Sequence, residues 1–349
     1  MVNIEDDTNE VILATGGYDH TIRLWSAHTG VCHRIVQHAD SQVNALEITP
    51  NRHMLAAAGF QHIRMYDVVS QHPNPVVNYE GVSKNITSLG FQSDGKWMYS
   101  GGEDGSVRIW DLRARSLQCQ RLFQTSNSIN CLALHPNQTD LYIGDQSGVI
   151  HIWDLQSGSD RSEQLEVDYD ISIQSIAIEC EGNHLAAVDN KGNCYIFALK
   201  HNKGVDSLQK RLKFTAHKKF VLKCRYSPDS TLLATSSADQ TAKIWRTADL
   251  SDLNSLSQTT DSEKKSTKQL SGTSIWPKVD SIYPAVELKD DNQRWVWDLG
   301  FSIDSQFIIT GSSDNNARLW NVFSGDIKRE YSGHQKAITA IAFSDTLVS

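Results

Sequence analysis

Residues 217–246 read HKKFVLKCRYSPDSTLLATSSADQTAKIWR, a pattern that predicts one small antiparallel sheet. Apolar residues alternate through three runs, which we predict to be strands at 220–226, 231–236 and 241–245. Ser-Pro-Asp-Ser and Ser-Ala-Asp-Gln separate these runs, and Pro and Asp favour turns through a fixed φ angle and side-chain-to-backbone hydrogen bonds. With a fourth, less regular strand after Trp245, the segment predicts a four-stranded unit.

The same unit recurs along the chain, and each copy ends its third strand in an aromatic residue. The seven anchors are Trp25, Tyr66, Trp110, Trp153, Phe197, Trp245 and Trp320. Successive anchors are 41, 44, 43, 44, 48 and 75 residues apart. A period of about 40 to 45 residues with a Trp-Asp signature is typical of the blades of a β-propeller. The sequence therefore predicts an all-β fold, a seven-bladed WD-repeat propeller in which residues 1–349 form a single domain.

The first and the last repeat are each incomplete. The chain begins on a second-strand pattern at 11–15, and a first-strand pattern occurs near its end, at 333–343. Paired in one blade, the two segments would remove the open edges that an unclosed ring exposes. We therefore expect the N- and C-terminal segments to close the ring.

The 75-residue gap indicates an insertion between blades six and seven. Residues 247–292 are rich in Ser, Thr, Asp and Lys and have few periodic apolar positions, which predicts a flexible surface loop. Trp276 and Tyr283 are apolar exceptions that we expect to pin the loop to the ring.

Polar residues at fixed places in the repeat predict a hydrogen-bond network inside a blade. In the sixth repeat these residues are His217, Thr235, Asp239 and Trp245. In the closing blade they are His334, Thr15, Asp19 and Trp25. A His-Thr-Asp set resembles a catalytic relay, but a catalytic set occurs once, whereas this one recurs with the repeat. We interpret both as structural networks that satisfy buried polar groups, and we predict no catalytic residues.

The start of each innermost strand should lie at the mouth of the central channel, and the aligned positions there divide into two kinds. The polar positions carry amides or hydroxyls, and we select the amide-bearing Gln42, Asn44, Asn85 and Asn130. The aromatic and aliphatic positions are Phe220, Leu222, Trp295 and Trp297. Exposed aromatic residues beside polar groups are typical of protein-binding surfaces. We predict that these eight residues bind a partner. Burial of both Trp295 and Trp297 between blades is the alternative to exposure of at least one.

Composition and motifs argue against several other functions. The net charge is −8 at pH 7, without the clustered Lys and Arg of a nucleic-acid-binding surface. No apolar run reaches 18 residues, and residues 1–10 have no secretory signal pattern. The six cysteines show no C-x-x-C pair and no histidine partner at zinc spacing, and the P-loop, zinc-protease and nucleophile-elbow motifs are missing. We therefore predict a cytoplasmic protein that is not an enzyme, without a metal, cofactor, small-molecule substrate or membrane insertion.

Several stretches go beyond a general propeller pattern. The segments ILATGGYDHT at 12–21, QH at 37–38 through 48, 56–67, RWVW at 294–297 and IKREYSGHQK at 327–336 resemble the G-protein-β-subunit-like family. Members of that family are propeller subunits of the target of rapamycin (TOR) kinase complexes. The resemblance covers nearly all of the chain except about 250–291.

The resemblance implies a non-catalytic scaffold shared by TORC1 and TORC2 in growth signalling. The expected partner is the TOR kinase, bound at an insertion in its C-lobe, and through it the other subunits of the complexes. The family's kinase-contacting positions correspond to Gln42, Asn44, Trp295 and Trp297. The implied location is the cytoplasm, with recruitment through the kinase complex to endomembrane or lysosomal surfaces.

A second motif supports an alternative function. Trp110-Asp111-Leu112-Arg113 resembles the W-D-x-R box of substrate receptors for cullin-RING ubiquitin ligases, in which the Arg faces the adaptor. Only Arg113 distinguishes this box from ordinary blade sequence, so we retain the ligase receptor as the alternative function.

Overall fold

The computed structural model describes residues 11–70, 72–156, 162–202, 205–251, 276 and 282–345. Within them the chain forms seven four-stranded antiparallel sheets, each meandering from one innermost strand to an outer strand. The sheets surround a central channel as the blades of a propeller. The all-β, seven-bladed prediction is confirmed, and a single short helix, α1 (Thr247–Ser251), is present in the described residues.

Blades one to four take their strands from the channel outward in the following order. Blade one contains β28 (Ile338–Ser344), β1 (Ile12–Gly17), β2 (Thr21–Ser26) and β3 (Cys32–Gln37). Blade two contains β4 (Ala45–Ile48), β5 (Met54–Ala58), β6 (Ile63–Asp67) and β7 (Val77–Tyr79). Blade three contains β8 (Ile86–Phe91), β9 (Trp97–Gly102), β10 (Ser106–Asp111) and β11 (Arg121–Gln124). Blade four contains β12 (Ile129–Leu134), β13 (Asp140–Asp145), β14 (Val149–Asp154) and β15 (Ser162–Glu166).

Blades five to seven follow the same order. Blade five contains β16 (Ile173–Ile178), β17 (His184–Asp189), β18 (Asn193–Asn202) and β19 (Val205–Thr215). Blade six contains β20 (Val221–Tyr226), β21 (Leu232–Ser237), β22 (Ala242–Arg246) and β23 (Val286–Leu288). Blade seven contains β24 (Val296–Phe301), β25 (Phe307–Ser312), β26 (Asn316–Asn321) and β27 (Ile327–Ser332).

The ring is closed in blade one, as the incomplete end repeats predict. Strand β28, the last in sequence, pairs antiparallel with β1, and Ile12 lies opposite Ser344 while Gly16 lies opposite Ala340. Pairing with β28 gives β1 two neighbours, so β1 is not an edge strand and blade one has four strands like the other six.

The core lies between the blades, and the seven anchors are among its largest side chains. All seven anchors are at most 2% exposed. Each anchor packs with residues of an adjoining blade, as Tyr66 does with Ala14 and Ile22 of blade one. The blades approach so closely that a Cβ on Gly16 would lie 2.6 Å from Cγ1 of Val43 in the next blade. The repeat therefore specifies packing between neighbouring blades as well as the sheets themselves.

The structure changes the predicted insertion at 247–292 at its C-terminal end, where β23 belongs to blade six. Residues 247–251 form α1, and β23 at the other end pairs with β22 as the outer strand of blade six. With only three residues, β23 is too short to give a recognisable alternation, so sequence reasoning assigned it to the loop. The intervening 252–275 and 277–281 lie outside the described residues.

Trp276 is one of the described contacts of this insertion with the ring. Its indole is 9% exposed and packs against Tyr195 and Phe197 of blade five, with ring centroids 5.0 and 5.1 Å away. Its Nε1–H donates to the carbonyl of Val167 at 3.0 Å. Tyr283, in contrast, is 79% exposed, so only Trp276 does what we expected of both aromatic residues.

Candidate functional site

The structure brings together the four network residues of blade six. The indole N–H of Trp245 donates to Oγ1 of Thr235 at 3.0 Å, and this oxygen is 2.8 Å from Nε2 of His217. Since the Thr235 oxygen accepts from the indole, its own proton can go to Nε2, which leaves Nδ1–H of His217 to donate to Asp239 at 2.9 Å. Burial by itself raises the pKa of the Asp239 carboxyl, but hydrogen bonds and charge from His217, with further donors, outweigh it and lower that pKa.

Blade one has the same arrangement, although its residues come from opposite ends of the chain. Trp25 donates to Thr15 at 2.7 Å, and Thr15 Oγ1 is 2.8 Å from Nε2 of His334. Nδ1 of His334 is 2.8 Å from Asp19. The network thereby holds the closing strand segment to blade one.

Other blades build a comparable network from different side chains. In blades three and seven an arginine takes the place of the histidine, in the ion pairs Asp104–Arg108 and Asp314–Arg318. In blade five, which we expected to lack a network, Tyr195 donates to Asp189 at 2.9 Å. These substitutes escaped sequence analysis because they occupy other positions in the repeat.

Blade two, also expected to lack a network, contains a buried pair of histidines. Nε2 of His38 and Nε2 of His62 are 3.1 Å apart, and Nδ1 of His38 is 3.1 Å from the hydroxyl of Tyr66. One imidazole donates to the other, so the pair is satisfied when both rings are neutral. Burial, and then the proximity of His62, lowers the pKa of His38 to about 3.

This pair should make the fold sensitive to mild acid. Because the folded pKa of His38 lies below the unfolded value of 6.5, its contribution is complete above pH 6.5 and is lost as the pH falls toward 3. At pH 5 the loss is about 2 kcal/mol. The free energy of unfolding should therefore fall less between pH 7.5 and pH 5 in His38→Gln than in the wild type. The exposed His28→Gln is the control, and an equal fall in all three proteins would contradict this role.

A backbone irregularity determines which side chains face the mouth of the channel. In six blades the pairing of the innermost strand with the next strand shifts by one residue, which leaves one residue of the innermost strand unpaired as a β-bulge. These residues are Thr87, Asn130, Gln174, Leu222, Trp297 and Thr339. A bulge re-aims its side chain. We call this side of the ring, which also carries the histidine loops, the upper face.

Most polar bulge residues are used inside the ring. The Thr87 hydroxyl donates to the Ile129 carbonyl at 2.7 Å, which joins blade three to blade four. The Asn130 amide reaches Ile173 in the same way at 2.7 Å, and the Thr339 hydroxyl donates to Val43 at 2.6 Å. These side chains clamp each blade to the next.

The other amide positions are also occupied by contacts within the protein. The amides of Gln42 and Asn44 both donate to Oδ1 of Asn85, at 3.3 and 3.4 Å. The Asn85 amide in turn donates to Glu103 at 3.2 Å. The structure thus brings together three of the four predicted amide residues, while Asn130 lies farther round the ring as a clamp.

The apolar positions form a different surface, because leucine cannot supply a clamp and Trp297 donates within its own blade instead. Trp297 donates from Nε1 to the Ser313 hydroxyl at 2.6 Å and contacts Trp295 at a centroid distance of 5.7 Å. Trp295 is 40% exposed and Phe220 is 50% exposed, while Leu222 and Trp297 are half-buried. At least one of the two tryptophans is therefore at the surface.

Sequence analysis missed one member of this surface. Tyr18, in the turn between β1 and β2, is 39% exposed and packs edge-on against Trp297, with centroids 6.1 Å apart. The signal was an aromatic residue directly before the turn aspartate, Asp19. We define the aromatic rim as Tyr18, Phe220, Leu222, Trp295 and Trp297.

The alternative motif lies on the opposite side of the ring. The Arg113 guanidinium donates to both carboxylate oxygens of Asp111, at 3.0 Å each, and its side chain is exposed. It follows the end of β10, where the connections to outer strands lie, away from the upper face. The Arg113 guanidinium, which an adaptor would contact, is therefore already paired with the Asp111 carboxylate.

The described residues contain no group of three or more His, Cys, Asp or Glu side chains placed to hold a metal ion. They also contain no helix long and apolar enough to cross a membrane. The chemistry that this upper face offers is an apolar, aromatic contact surface with polar neighbours.

The repeats and the whole chain are similar to known proteins. The family profile described as "WD domain, G-beta repeat" matches residues 5–26, 73–111, 117–154, 208–246 and 286–321. A mouse protein named target of rapamycin complex subunit LST8 is 53% identical over 343 residues, which cover 98% of this chain and 97% of the mouse protein. The LST8 homolog of Drosophila melanogaster is 43% identical over 344 residues, covering 98% of this chain and 99% of the fly protein. Saccharomyces cerevisiae LST8 is 45% identical over 235 residues, 67% of this chain and 77% of the yeast protein.

The closed seven-bladed ring and the matched repeats define a WD-repeat β-propeller whose prominent surface feature is the aromatic rim. Identities of this size over nearly the full length of the mouse and fly proteins extend the assignment from the fold to a family. The chain belongs to the LST8 family.

Proposed function

We propose that this protein is a non-catalytic scaffold subunit of the TOR kinase complexes and that the aromatic rim binds the kinase. The observation that carries the proposal is the concentration of exposed aromatic residues in one part of the upper face. There, the two apolar bulge residues form surface instead of a hydrogen bond to the next blade. The rim members Trp295 and Phe220 are 40% and 50% exposed. Large, partly exposed aromatic side chains of this kind are the usual anchors of protein interfaces.

The mouse and yeast relatives are named as subunits of the target of rapamycin complex, which supports the choice of partner. The docking site that we assign on the kinase is the insertion in its C-lobe. A closed ring presents a preformed surface, so binding costs little ordering of the propeller. Docking there would restrict the motion of the catalytic lobe and add a wall beside its cleft.

The same role extends to both TORC1 and TORC2, with the other subunits reached through the kinase. We also propose that the protein is cytoplasmic and is recruited, through the kinase complex, to endomembrane or lysosomal surfaces. Subcellular fractionation with and without the kinase would test the location.

The partner is tested by affinity capture of the tagged wild-type chain and its Arg113→Ala variant, followed by mass spectrometry. We expect the TOR kinase to be recovered in equal amount with both proteins. Recovery of a cullin-RING adaptor with the wild type, its loss with Arg113→Ala and absence of the kinase would instead establish the ligase receptor.

A further inference from the structure

The charge around the aromatic rim differs from that of the rest of the upper face. Blades six, seven and one place exposed cations beside the rim, and we call these the basic border. The members of the basic border are Lys218, Lys219, Lys289, Arg294 and Lys336. Among the described salt bridges, none involves these five side chains.

Most carboxylates of the same sector are bonded to side chains within the protein. Asp239 is bonded to His217, Asp19 to His334, and Asp314 to the buried Arg318. Asp290 also contacts Arg318 and is half-buried. Asp291 is the exposed carboxylate that remains in the connection before Trp295. Five exposed cations therefore border the rim against two exposed acids, Asp291 and Glu330, and Glu330 is paired with Arg318. This local excess of cations stands out in a chain whose net charge is −8.

The loops of blades two to five on the upper face have the opposite balance. Their exposed acids are Asp40, Glu80, Glu103 and Asp170, against the exposed cations Lys84 and Lys191. Lys191 is in addition paired with Asp170 at 3.1 Å. The exposed cations of the upper face are thus concentrated in the sector that carries the aromatic rim, with only Lys84 and Lys191 among the loops just described.

Resting on the proposed function, we propose that the kinase segment bound by the aromatic rim is acidic as well as apolar. Aromatic side chains supply the buried contact area, and the unpaired cations at its border attract carboxylates of the partner. Charges at the border of an interface act mainly on the association rate, and their effect weakens as salt screens them. The acidic loops of blades two to five would repel the same segment and so fix its orientation.

Charge reversal tests the inference with the full-length chain and the intact TOR kinase, by measuring association rates at several salt concentrations. Lys218→Glu/Lys219→Glu should associate at least about tenfold more slowly than the wild type at low salt, and the difference should shrink at high salt. The matched control is Lys84→Glu/Lys191→Glu, which reverses two cations on the other half of the upper face and should bind much as the wild type does. Both pairs are exposed, so equal thermal unfolding midpoints would show that the ring is intact.

An equal or faster association rate for Lys218→Glu/Lys219→Glu would overturn the acidic partner segment while leaving the proposed kinase subunit in place. An equal loss with both charge pairs would also overturn it, because the effect would then reflect overall charge. If the wild type does not bind the kinase, the proposed function fails and this inference fails with it.

Discussion

A chain that ends at Gly333 should not fold to a stable monomer. The truncation removes β28, and with it Ile338 and Ile341, which are 0% and 2% exposed in the intact ring. Burial of one such side chain is worth about 1.5 to 3 kcal/mol, and a whole domain is stable by only about 5 to 15 kcal/mol. The truncation also leaves β1 paired with β2 alone and leaves Thr15 and Trp25 without His334. Urea unfolding followed by tryptophan fluorescence should show no cooperative transition, and the protein should aggregate.

A circular permutant separates the loss of a strand from the loss of chain length. Ile12 lies opposite Ser344, so a short Gly-Ser linker can join residue 345 to residue 11 while the chain is opened within 252–275. This permutant keeps β28 beside β1 and should unfold cooperatively near the wild-type midpoint. A truncated chain as stable as the wild type would show that ring closure does not hold the propeller together.

The double replacement Trp295→Ala/Phe220→Ala should weaken binding to the TOR kinase by about 100-fold or more. Alanine replacement of a central aromatic anchor commonly costs about 2 to 4 kcal/mol of binding free energy, and each 1.4 kcal/mol is a factor of ten in Kd. Both side chains are at least 40% exposed in the free ring, so their removal should leave folding nearly unchanged. Trp297 is kept because it is half-buried and bonded to Ser313. Titration calorimetry or biolayer interferometry with the kinase gives the Kd.

Two exposed aromatic residues elsewhere serve as matched controls. Tyr169 is 84% exposed in a loop of the upper face, and Phe323 is 69% exposed in the turn between β26 and β27 on the opposite side. Tyr169→Ala/Phe323→Ala removes similar aromatic area and should bind as the wild type does. Equal weakening by both double variants would remove the aromatic rim as a specific surface.

Much of the fold could be predicted because the determining signals repeat. The anchor spacing gives the number of blades, and the incomplete ends at 11–15 and 333–343 give the closure. The networks of His217 and His334 could be found because equivalent residues stand at equal distances from Trp245 and Trp25. Local alternation and turn residues place the strands of the regular blades to within a residue or two.

What escaped prediction depends on contacts between distant residues or on backbone geometry. The bulges at Leu222 and Trp297 have no signature in one repeat, although they decide that the rim faces the channel mouth. The docking of Trp276 on Tyr195 and Phe197 of blade five joins parts of the chain about eighty residues apart. In the blade-two pair, His62 serves as the partner of His38, whereas the histidines in the networks of blades one and six bond to an aspartate, so the repeating pattern did not reveal it.

The most direct test of the central claim, that the aromatic rim contacts the kinase, is site-specific photocross-linking. Benzoylphenylalanine is introduced at Phe220 in one protein and at Phe323 in another, since both phenylalanines are exposed on opposite sides of the ring. After irradiation of the assembled complex, our account predicts a cross-link from position 220 to the C-lobe of the TOR kinase and none from position 323. Cross-linking to the kinase from position 323 alone would contradict it.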